Sequence, residues 1–162
     1  ILDSIDSNKD ADGLTATNMG KLCLNHEKTF YQCTPLGIIE LLNYYNIPIE
    51  GSDVVIVGKS QIVGLPLSIM LSNLDATVSL CHIKTKDLKS YTRRADILIV
   101  CCGVTIIDVG INVIGHTSTG KRKICGDVDF DDVKEKVHAI TPVPGGVGPM
   151  TICMLVKQIR NC

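Results

Sequence analysis

The residues best suited to chemistry begin with a pair of carboxylates near the start of the chain. The segment Lys9-Asp-Ala-Asp-Gly-Leu14 places Asp10 and Asp12 in one turn. A carboxylate there can accept a bidentate pair of hydrogen bonds from a flat, amino-substituted heterocycle. Alternatively, a carboxylate in a turn caps the backbone amides that follow it. The pattern predicts one ligand-binding acid and leaves the capping role open for the other.

A second block, Pro142-Val-Pro-Gly-Gly-Val-Gly-Pro-Met-Thr151, is rich in proline and glycine. Adjacent glycines free the backbone from side-chain sterics, and the flanking prolines restrict it again. Such a loop presents bare amides that can lie against a flat ligand. Pro149 suits the first turn of a helix, which the apolar residues after it continue. The alternative is a tight strand-to-helix connection without a ligand, but a plain turn rarely needs so many special residues.

A third block, Gly58-Lys-Ser-Gln-Ile-Val-Gly64, follows an apolar run and opens a helical pattern. The first turn of a helix offers free amides and a partial positive charge, so this position predicts a pyrophosphate-binding loop. The spacing differs from the usual three-glycine fingerprint. An ordinary strand-to-helix turn is therefore the alternative interpretation.

Further candidates lie where apolar runs end, because ligands of parallel α/β sheets bind at the carboxyl ends of the strands. His82 follows one run, with a capping or packing role as its alternative. Gly103 follows the next, where it either lets a ligand approach the backbone or simply makes a turn. Asp108-Val-Gly-Ile-Asn112 ends another run. For Asp108 the alternative is capping of nearby amides.

The elements that must position these residues alternate between strand and helix. This alternation, with short β-branched runs that suit buried strands, predicts a doubly wound α/β fold with a parallel sheet. The expected strands are 54–57, 76–80, 97–101 and 105–109. The expected helices are 34–45, with Thr34 as N-cap and Pro35 at the first helical position, 62–73, 86–94 and 131–137.

The connection between the runs at Ile97 and Thr105 conflicts with a parallel sheet. Only Gly103 and Val104, with the strand ends, lie between them. Parallel strands need a crossover of roughly a dozen residues or more. Either the two strands pair antiparallel, or a connecting segment is missing.

Composition narrows the class of protein. The length of 162 residues suits one domain, or one domain and part of another, and the net charge of −1 predicts neither a nucleic-acid nor a membrane partner. The eight cysteines lack metal-ligand spacing, so no metal site is expected. Cys81, Cys101, Cys102 and Cys153 lie in apolar segments, which favours buried free thiols in a reducing compartment. We expect a cytoplasmic location, with mitochondria as the alternative.

Taken in order, Lys9–Leu14, Cys33-Thr-Pro-Leu-Gly37, Val57–Pro66 and Pro142–Thr151 resemble motifs of the methylenetetrahydrofolate dehydrogenase/cyclohydrolase family. The resemblance runs from about Asp6 to about Val156. It implies a Rossmann-like nucleotide domain over 47–146, part of a substrate domain over 1–46, and a helix over 147–162 that returns to the substrate domain. It also implies a homodimer formed through the nucleotide domain, and relatives carry a connecting loop after Gly103.

The implied activity is oxidation of 5,10-methylenetetrahydrofolate with NADP, followed by hydrolysis to 10-formyltetrahydrofolate. By resemblance, Asp12 binds the pterin and is the catalytic residue of this chain, with Asp10 the less favoured acid. The other implied substrate positions are Pro144, Gly145, Gly146, Pro149 and Thr151. The implied cofactor positions are Gly58, Lys59, Ser60, Ile62, Val63, Gly64, Pro66, His82, Thr85, Cys102, Gly103, Gly110, Ile111 and Asn112.

Two features bear on the choice between NADP and NAD. The second strand ends Ser79-Leu-Cys-His-Ile-Lys-Thr85, without an acid that would repel a 2′-phosphate. Lys59 stands where NADP-using relatives carry Arg, whereas Ile83 stands where they carry Ser. We expect NADP, and NAD remains the alternative.

The chain also departs from the family pattern. The Lys, Tyr and Gln that perform the cyclohydrolase step in relatives have no matching block among these residues. A monofunctional dehydrogenase, another nicotinamide-dependent dehydrogenase, or a cofactor-binding fragment without chemistry therefore remain as alternatives.

Overall fold

Strands and helices alternate through most of the computed structural model, which describes residues 2–99, 105–110, 112–116, 121–134 and 139–160. The strands are β1 (Asp53–Val57), β2 (Thr77–Cys81), β3 (Ile97–Ile99), β4 (Thr105–Ile107), β5 (Asn112–His116), β6 (Arg122–Cys125) and β7 (Ala139–Ile140). The helices are α1 (Ala16–Cys23), α2 (Cys33–Tyr44), α3 (Gly64–Ser72), α4 (Leu88–Arg94), α5 (Phe130–Val133) and α6 (Val147–Ile159), and a short 3₁₀ turn spans Leu2–Ser4.

Five strands form one sheet in the order β2-β1-β3-β4-β7, and every neighbouring pair is parallel. β5 and β6 form a separate antiparallel hairpin. Side chains of successive strand residues point to opposite faces, and both faces of β1 are buried. Val54 and Ile56 join the core that includes Leu67 of α3, whereas Val55 packs with Leu98 on the other face. Helices cover both faces, which confirms the doubly wound prediction.

The pairing of β3 with β4 decides between the two alternatives for the short connection. Leu98 lies opposite Ile106 and Ile99 opposite Ile107, in parallel register. The antiparallel alternative is therefore wrong. Parallel pairing brings the carboxyl ends of both strands to the same edge of the sheet, where the residues after β4 can contribute to a site.

The predicted helix over 34–45 begins one residue earlier than expected. Its N-cap is Gln32, which makes no side-chain cap, and Cys33 is the first helical residue. Thr34 is thus the second residue of the helix and Pro35 the third, so both assignments at this end were wrong. A proline is still tolerated there because the first-turn amides have no partner within the helix.

Helices α2 and α6 cross in close contact. A side chain on Gly37 of α2 would lie 3.2 Å from the backbone of Met150 in α6, closer than most van der Waals contacts. Pro149 is the third residue of α6 and so lies in its first turn, as predicted.

Cys81 is buried, but Cys153 is exposed, so the expectation of a buried thiol was wrong for Cys153. Cys153 lies on α6, whose sequence is largely apolar although other parts of the chain cover only some of its faces.

Candidate functional site

The turn between β1 and α3 is shaped by two glycines. Gly58 has φ of +127°, a conformation that side chains disfavour, and a Cβ on Gly64 would collide with the carbonyl oxygen of Gly58. Ser60 Oγ accepts hydrogen bonds from the N–H groups of Val63 and Gly64, and the Ser60 carbonyl accepts from Leu65 N. Ser60 therefore orders the loop and satisfies amides at the start of α3.

Other predicted residues of this loop differ in exposure. Lys59 and Ile62 are exposed and accessible to a ligand, and Val63 is half-buried. Pro66 is buried in α3, so its ring supports the helix and is not offered to solvent. The exposed segment between the two glycines is the part of the loop that remains open to an anion.

A tight turn follows β2 and contains two predicted cofactor residues. His82 N donates to Thr85 Oγ1 at 2.8 Å, and His82 Nδ1 accepts from Lys84 N at 3.1 Å. These bonds fit the capping role left open for His82. Ile83 projects into solvent with 97% of its surface exposed. Lys84 and Lys86 outnumber the single carboxylate of the connection, Asp87, which lies at the start of α4.

Asp108 ties together the chain that follows β4 and the chain that follows β6. Its side chain is 3% exposed, and its carboxylate accepts hydrogen bonds from the N–H groups of Gly110, Asp127 and Val128. The predicted cofactor residue Asn112 adds a second tie, because its Nδ2 donates to Gly126 O and to Asp127 Oδ1. Asp108 thus takes the capping role, and it fixes the wall formed by Gly110.

A cavity of about 490 Å³ lies between this wall and the glycine-rich loop before α6. It brings together predicted residues from both halves of the site. Predicted cofactor residues Val63 and Gly110, and predicted substrate residues Pro144, Gly145, Gly146, Pro149 and Thr151, all line it. Most of its lining is apolar, which suits a flat aromatic ligand held by few polar groups.

Sequence reasoning missed several residues of this cavity, among them Thr34, Val109 and Ile124. Thr34 lies there because α2 packs against the start of α6, and its Oγ1 is 3.2 Å from Thr151 Oγ1. Thr151 also donates to the carbonyl of Val147, so it lies within the helix and does not cap it. Thr34 is identified as a cavity-lining residue only by the contact between α2 and α6, which are far apart in sequence.

The two acids of the first block occupy different environments. Asp10 is 6% exposed, and its carboxylate accepts from the N–H groups of Leu14 and Thr15 and from Asn18 Nδ2. Burial would raise the pKa of Asp10, but these hydrogen bonds outweigh burial and lower it. Asp10 therefore has the geometry of a turn cap.

Asp12 is half-exposed, and its Oδ1 accepts from Cys33 N at 3.0 Å. It does not line the 490 Å³ cavity, but its partner Cys33 directly precedes Thr34, which does. Burial, followed by the hydrogen bond and negative charge of Asp12, raises the pKa of the Cys33 thiol to about 12. Cys33 is consequently a neutral thiol beside the carboxylate.

The remaining predicted positions, Cys102, Gly103 and Ile111, lie outside the described residues. Within the described ranges, no cluster of three or more His, Cys, Asp or Glu side chains is arranged to hold a metal ion. A larger cavity of about 720 Å³, lined by Lys21, Lys28 and Lys157 among others, contains none of the predicted site residues. Membrane spans are a separate question: in the described part of the chain, no helix is long and apolar enough to cross a membrane.

A doubly wound parallel sheet with a glycine loop after its first strand and a cleft at the strand ends defines a nucleotide-binding α/β protein. A family model for the NAD(P)-binding domain of tetrahydrofolate dehydrogenase/cyclohydrolase matches residues 32–162. The bifunctional protein FolD of Campylobacter jejuni strain RM1221 is 53% identical over 178 positions, covering 99% of this chain and 61% of that protein. The chain belongs to the tetrahydrofolate dehydrogenase/cyclohydrolase family.

Solved structures agree with this assignment. The bifunctional FolD enzyme of C. jejuni has a TM-score of 0.88 at 50% identity, over 99% of this chain and 60% of that one. FolD of Trypanosoma brucei, in complex with NADP cofactor and an inhibitor, has a TM-score of 0.88 at 34% identity over the same shares. This chain therefore spans about 61% of the length of such relatives.

The alignment runs over 178 positions, whereas this chain has 162 residues, so at least 16 positions of the relative have no counterpart among them. A connecting segment between β3 and β4 stays a prediction.

Proposed function

We propose that this chain is the nucleotide-binding part of an NADP-dependent methylenetetrahydrofolate dehydrogenase with methenyltetrahydrofolate cyclohydrolase activity. The observation that carries the proposal is the 490 Å³ cavity, because residues predicted for the cofactor and residues predicted for the folate line the same space. Two flat reactants held face to face in one apolar cleft react without a further search for orientation.

The residues present fit a dinucleotide phosphate. The exposed stretch from Lys59 to Ile62 offers backbone amides and a positive charge to the pyrophosphate. The connection after β2 supplies Lys84 and Lys86 against one carboxylate, Asp87 at its far end, and this net positive charge suits a 2′-phosphate better than a bare ribose diol. Asp108 accepts a hydrogen bond from Gly110 N and so holds this part of the cavity wall in place, while the Asp127 carboxylate occupies the space that a side chain on Gly110 would take. When bound, the dinucleotide supplies the two-electron acceptor for oxidation of the methylene carbon.

On the substrate side, Asp12 is the candidate for recognition of the pterin edge. One of its oxygens already accepts from Cys33 N, which fixes the carboxylate while leaving lone pairs for a ligand. The pterin's adjacent N–H groups match a carboxylate in bidentate geometry. Gly145 and Gly146 provide a floor without side chains, and the surrounding apolar wall excludes water from the reacting carbon.

The cyclohydrolase step adds water to the methenyl cation and opens the ring, and it requires a general acid–base group. Among the described residues, the lining of the 490 Å³ cavity includes no lysine. We assign this step to the whole protein on the basis of the family membership. A monofunctional dehydrogenase would share every described feature of the site.

Calorimetric titration with NADP, NAD and 5-formyltetrahydrofolate, a chemically stable tetrahydrofolate, tests the proposal. We expect NADP to bind more tightly than NAD, and Asp12→Asn to weaken folate binding about tenfold or more while NADP binding is retained. Oxidation of 5,10-methylenetetrahydrofolate is then followed through the absorbance of the reduced cofactor. Binding of NADP with no affinity for the folate would contradict the proposal and favour another class of dehydrogenase or a binding module.

A homodimer through the nucleotide domain is part of the proposal. β2 is at one edge of the sheet, and its residues Val78 to Leu80 are only half-buried. An edge strand presents unpaired backbone groups that a second copy can cover. Sedimentation equilibrium measures the mass in solution, and a monomer at all concentrations would contradict this part.

A further inference from the structure

The side chain of Gln158, near the end of α6, is an internal connector. It is 6% exposed. Its Nε2 donates to the carbonyl oxygens of Ala11 at 2.8 Å and Tyr31 at 2.7 Å, and it lies 3.3 Å from Cys33 Sγ. Its Oε1 accepts from Tyr31 N at 2.9 Å. One amide therefore binds two segments that are separated from it by 125 to 147 residues.

Both segments meet at Asp12. The Ala11 carbonyl belongs to the peptide bond directly before Asp12, and Cys33 N is the donor to Asp12 Oδ1. The orientation of the carboxylate consequently depends on where the backbone over 31–33 lies. Gln158 fixes that backbone through both the N–H and the carbonyl of Tyr31.

We propose that Gln158 is a positioning residue for Asp12, and that α6 sets the geometry of folate recognition through it. This inference rests on the proposed function. A carboxylate that must meet two N–H groups of a flat ring tolerates displacements of only about 0.5 Å and 10–20°. Gln158 does not line the 490 Å³ cavity. Through its hydrogen bonds, Gln158 fixes the distance between the Ala11 carbonyl, which precedes Asp12, and Cys33 N, which donates to the Asp12 carboxylate.

Gln158→Met tests the inference, because methionine has a similar length and cannot make these hydrogen bonds. The matched control is Lys157→Met, which places the same residue at the neighbouring, exposed position of α6 and removes only a surface ion pair with Glu40. We expect Gln158→Met to weaken 5-formyltetrahydrofolate binding about tenfold and to change NADP binding less than about twofold. Lys157→Met should leave both affinities within about twofold of the original.

A double-mutant cycle separates positioning from a general loss of structure. If Gln158 acts through Asp12, then Gln158→Met will cost no further folate affinity in an Asp12→Asn background. Additive losses, or parallel losses for NADP and folate, would overturn the inference. If Gln158→Met does not fold, Gln158→Asn replaces it in the same cycle, since it keeps the amide but shortens its reach.

Failure of the inference differs from failure of the proposed function. If the original chain binds the folate and Gln158→Met binds it equally well, only the positioning role is refuted. If the original chain binds NADP but not 5-formyltetrahydrofolate, the proposed function fails and the inference fails with it.

Discussion

The carbonyl oxygen of Gly58 lies so close to the α-carbon of Gly64 that no side chain fits on Gly64. The two residues close the turn between β1 and α3, and Ser60 braces it by accepting from Gly64 N. The backbone between Gly58 and Gly64 is therefore held in one conformation at the end of β1, with residues 59–62 exposed. This contact makes the shape of the proposed anion-binding loop a property of the backbone.

We expect Gly64→Ala to destabilise the chain by about 1–3 kcal/mol and to abolish detectable NADP binding, because the new methyl group must displace the Gly58 carbonyl. Thermal unfolding and calorimetric titration measure the two effects. Gly20→Ala is the control, since a Cβ there meets nothing within 4 Å. In the middle of α1 it should stabilise the chain by about 0.5–1 kcal/mol. Equal NADP affinity in both variants would show that the tight turn is not needed for binding.

Asp10 should make stability depend on pH in the acid range. Its pKa in the folded chain is lowered from the ordinary value of 3.8, because hydrogen bonds from Thr15, Asn18 and Leu14 outweigh the opposing effect of burial. A lowered pKa contributes stability that is fully present above 3.8 and is lost as the pH falls through the folded value.

Asp10→Asn therefore should cost about 1–3 kcal/mol of unfolding free energy at neutral pH and should flatten the acid limb of the stability curve. Urea unfolding between neutral and acid pH measures both effects. Asp12→Asn makes the same substitution at the half-exposed acid two residues away and is the matched control. An unchanged acid limb in Asp10→Asn would refute the assignment of this carboxylate as a buried cap.

Replacing Asp108 with asparagine should weaken NADP binding by opening the cavity wall. The introduced side-chain amide would present N–H groups toward backbone N–H donors of Gly110, Asp127 or Val128, leaving at least one of them unpaired. A buried unpaired donor costs about 1–3 kcal/mol. NADP titration and hydrogen exchange of residues 110 and 126–128 measure the loss.

The control for Asp108→Asn is Asp75→Asn, an exposed residue with φ of +62° that asparagine also tolerates. It makes the same chemical change away from the cavity and should alter neither NADP affinity nor exchange. If Asp108→Asn leaves the exchange of residues 126–128 unchanged, Asp108 does not fix this wall.

Cys33 should resist alkylation in the folded chain. Burial, and then the neighbouring carboxylate of Asp12, raises its pKa to about 12, so only about one molecule in 10⁴ carries the thiolate at pH 8. Cys23 and Cys153 are exposed and should react with iodoacetamide at least about 100-fold faster. Peptide mass spectrometry gives the rate at each cysteine. Reaction of Cys33 at the rate of Cys153 would contradict the buried, neutral thiol.

The sequence predicted more of the fold than of the candidate site. The apolar runs at β1 and β3 and the helical patterns between them identify their elements within a few residues, because periodicity is a local signal. The start of α2 was misplaced by one residue, because a local capping pattern such as Thr34-Pro35 locates a helix end only to within one or two residues. The parallel pairing of β3 with β4 also conflicted with local reasoning from the length of the connection.

Local sequence was enough to specify which backbone segments bend, which are buried, and which blocks resemble a folate enzyme. Glycine, proline and β-branched residues carry those preferences wherever they stand in a chain. Tertiary packing was needed to make Asp10 an internal cap while Asp12 stays accessible, and to bring Gln158 to Ala11 across 147 residues. Hydrogen-bond partners distant in sequence are chosen by packing, and no local pattern records which donor will meet which acceptor.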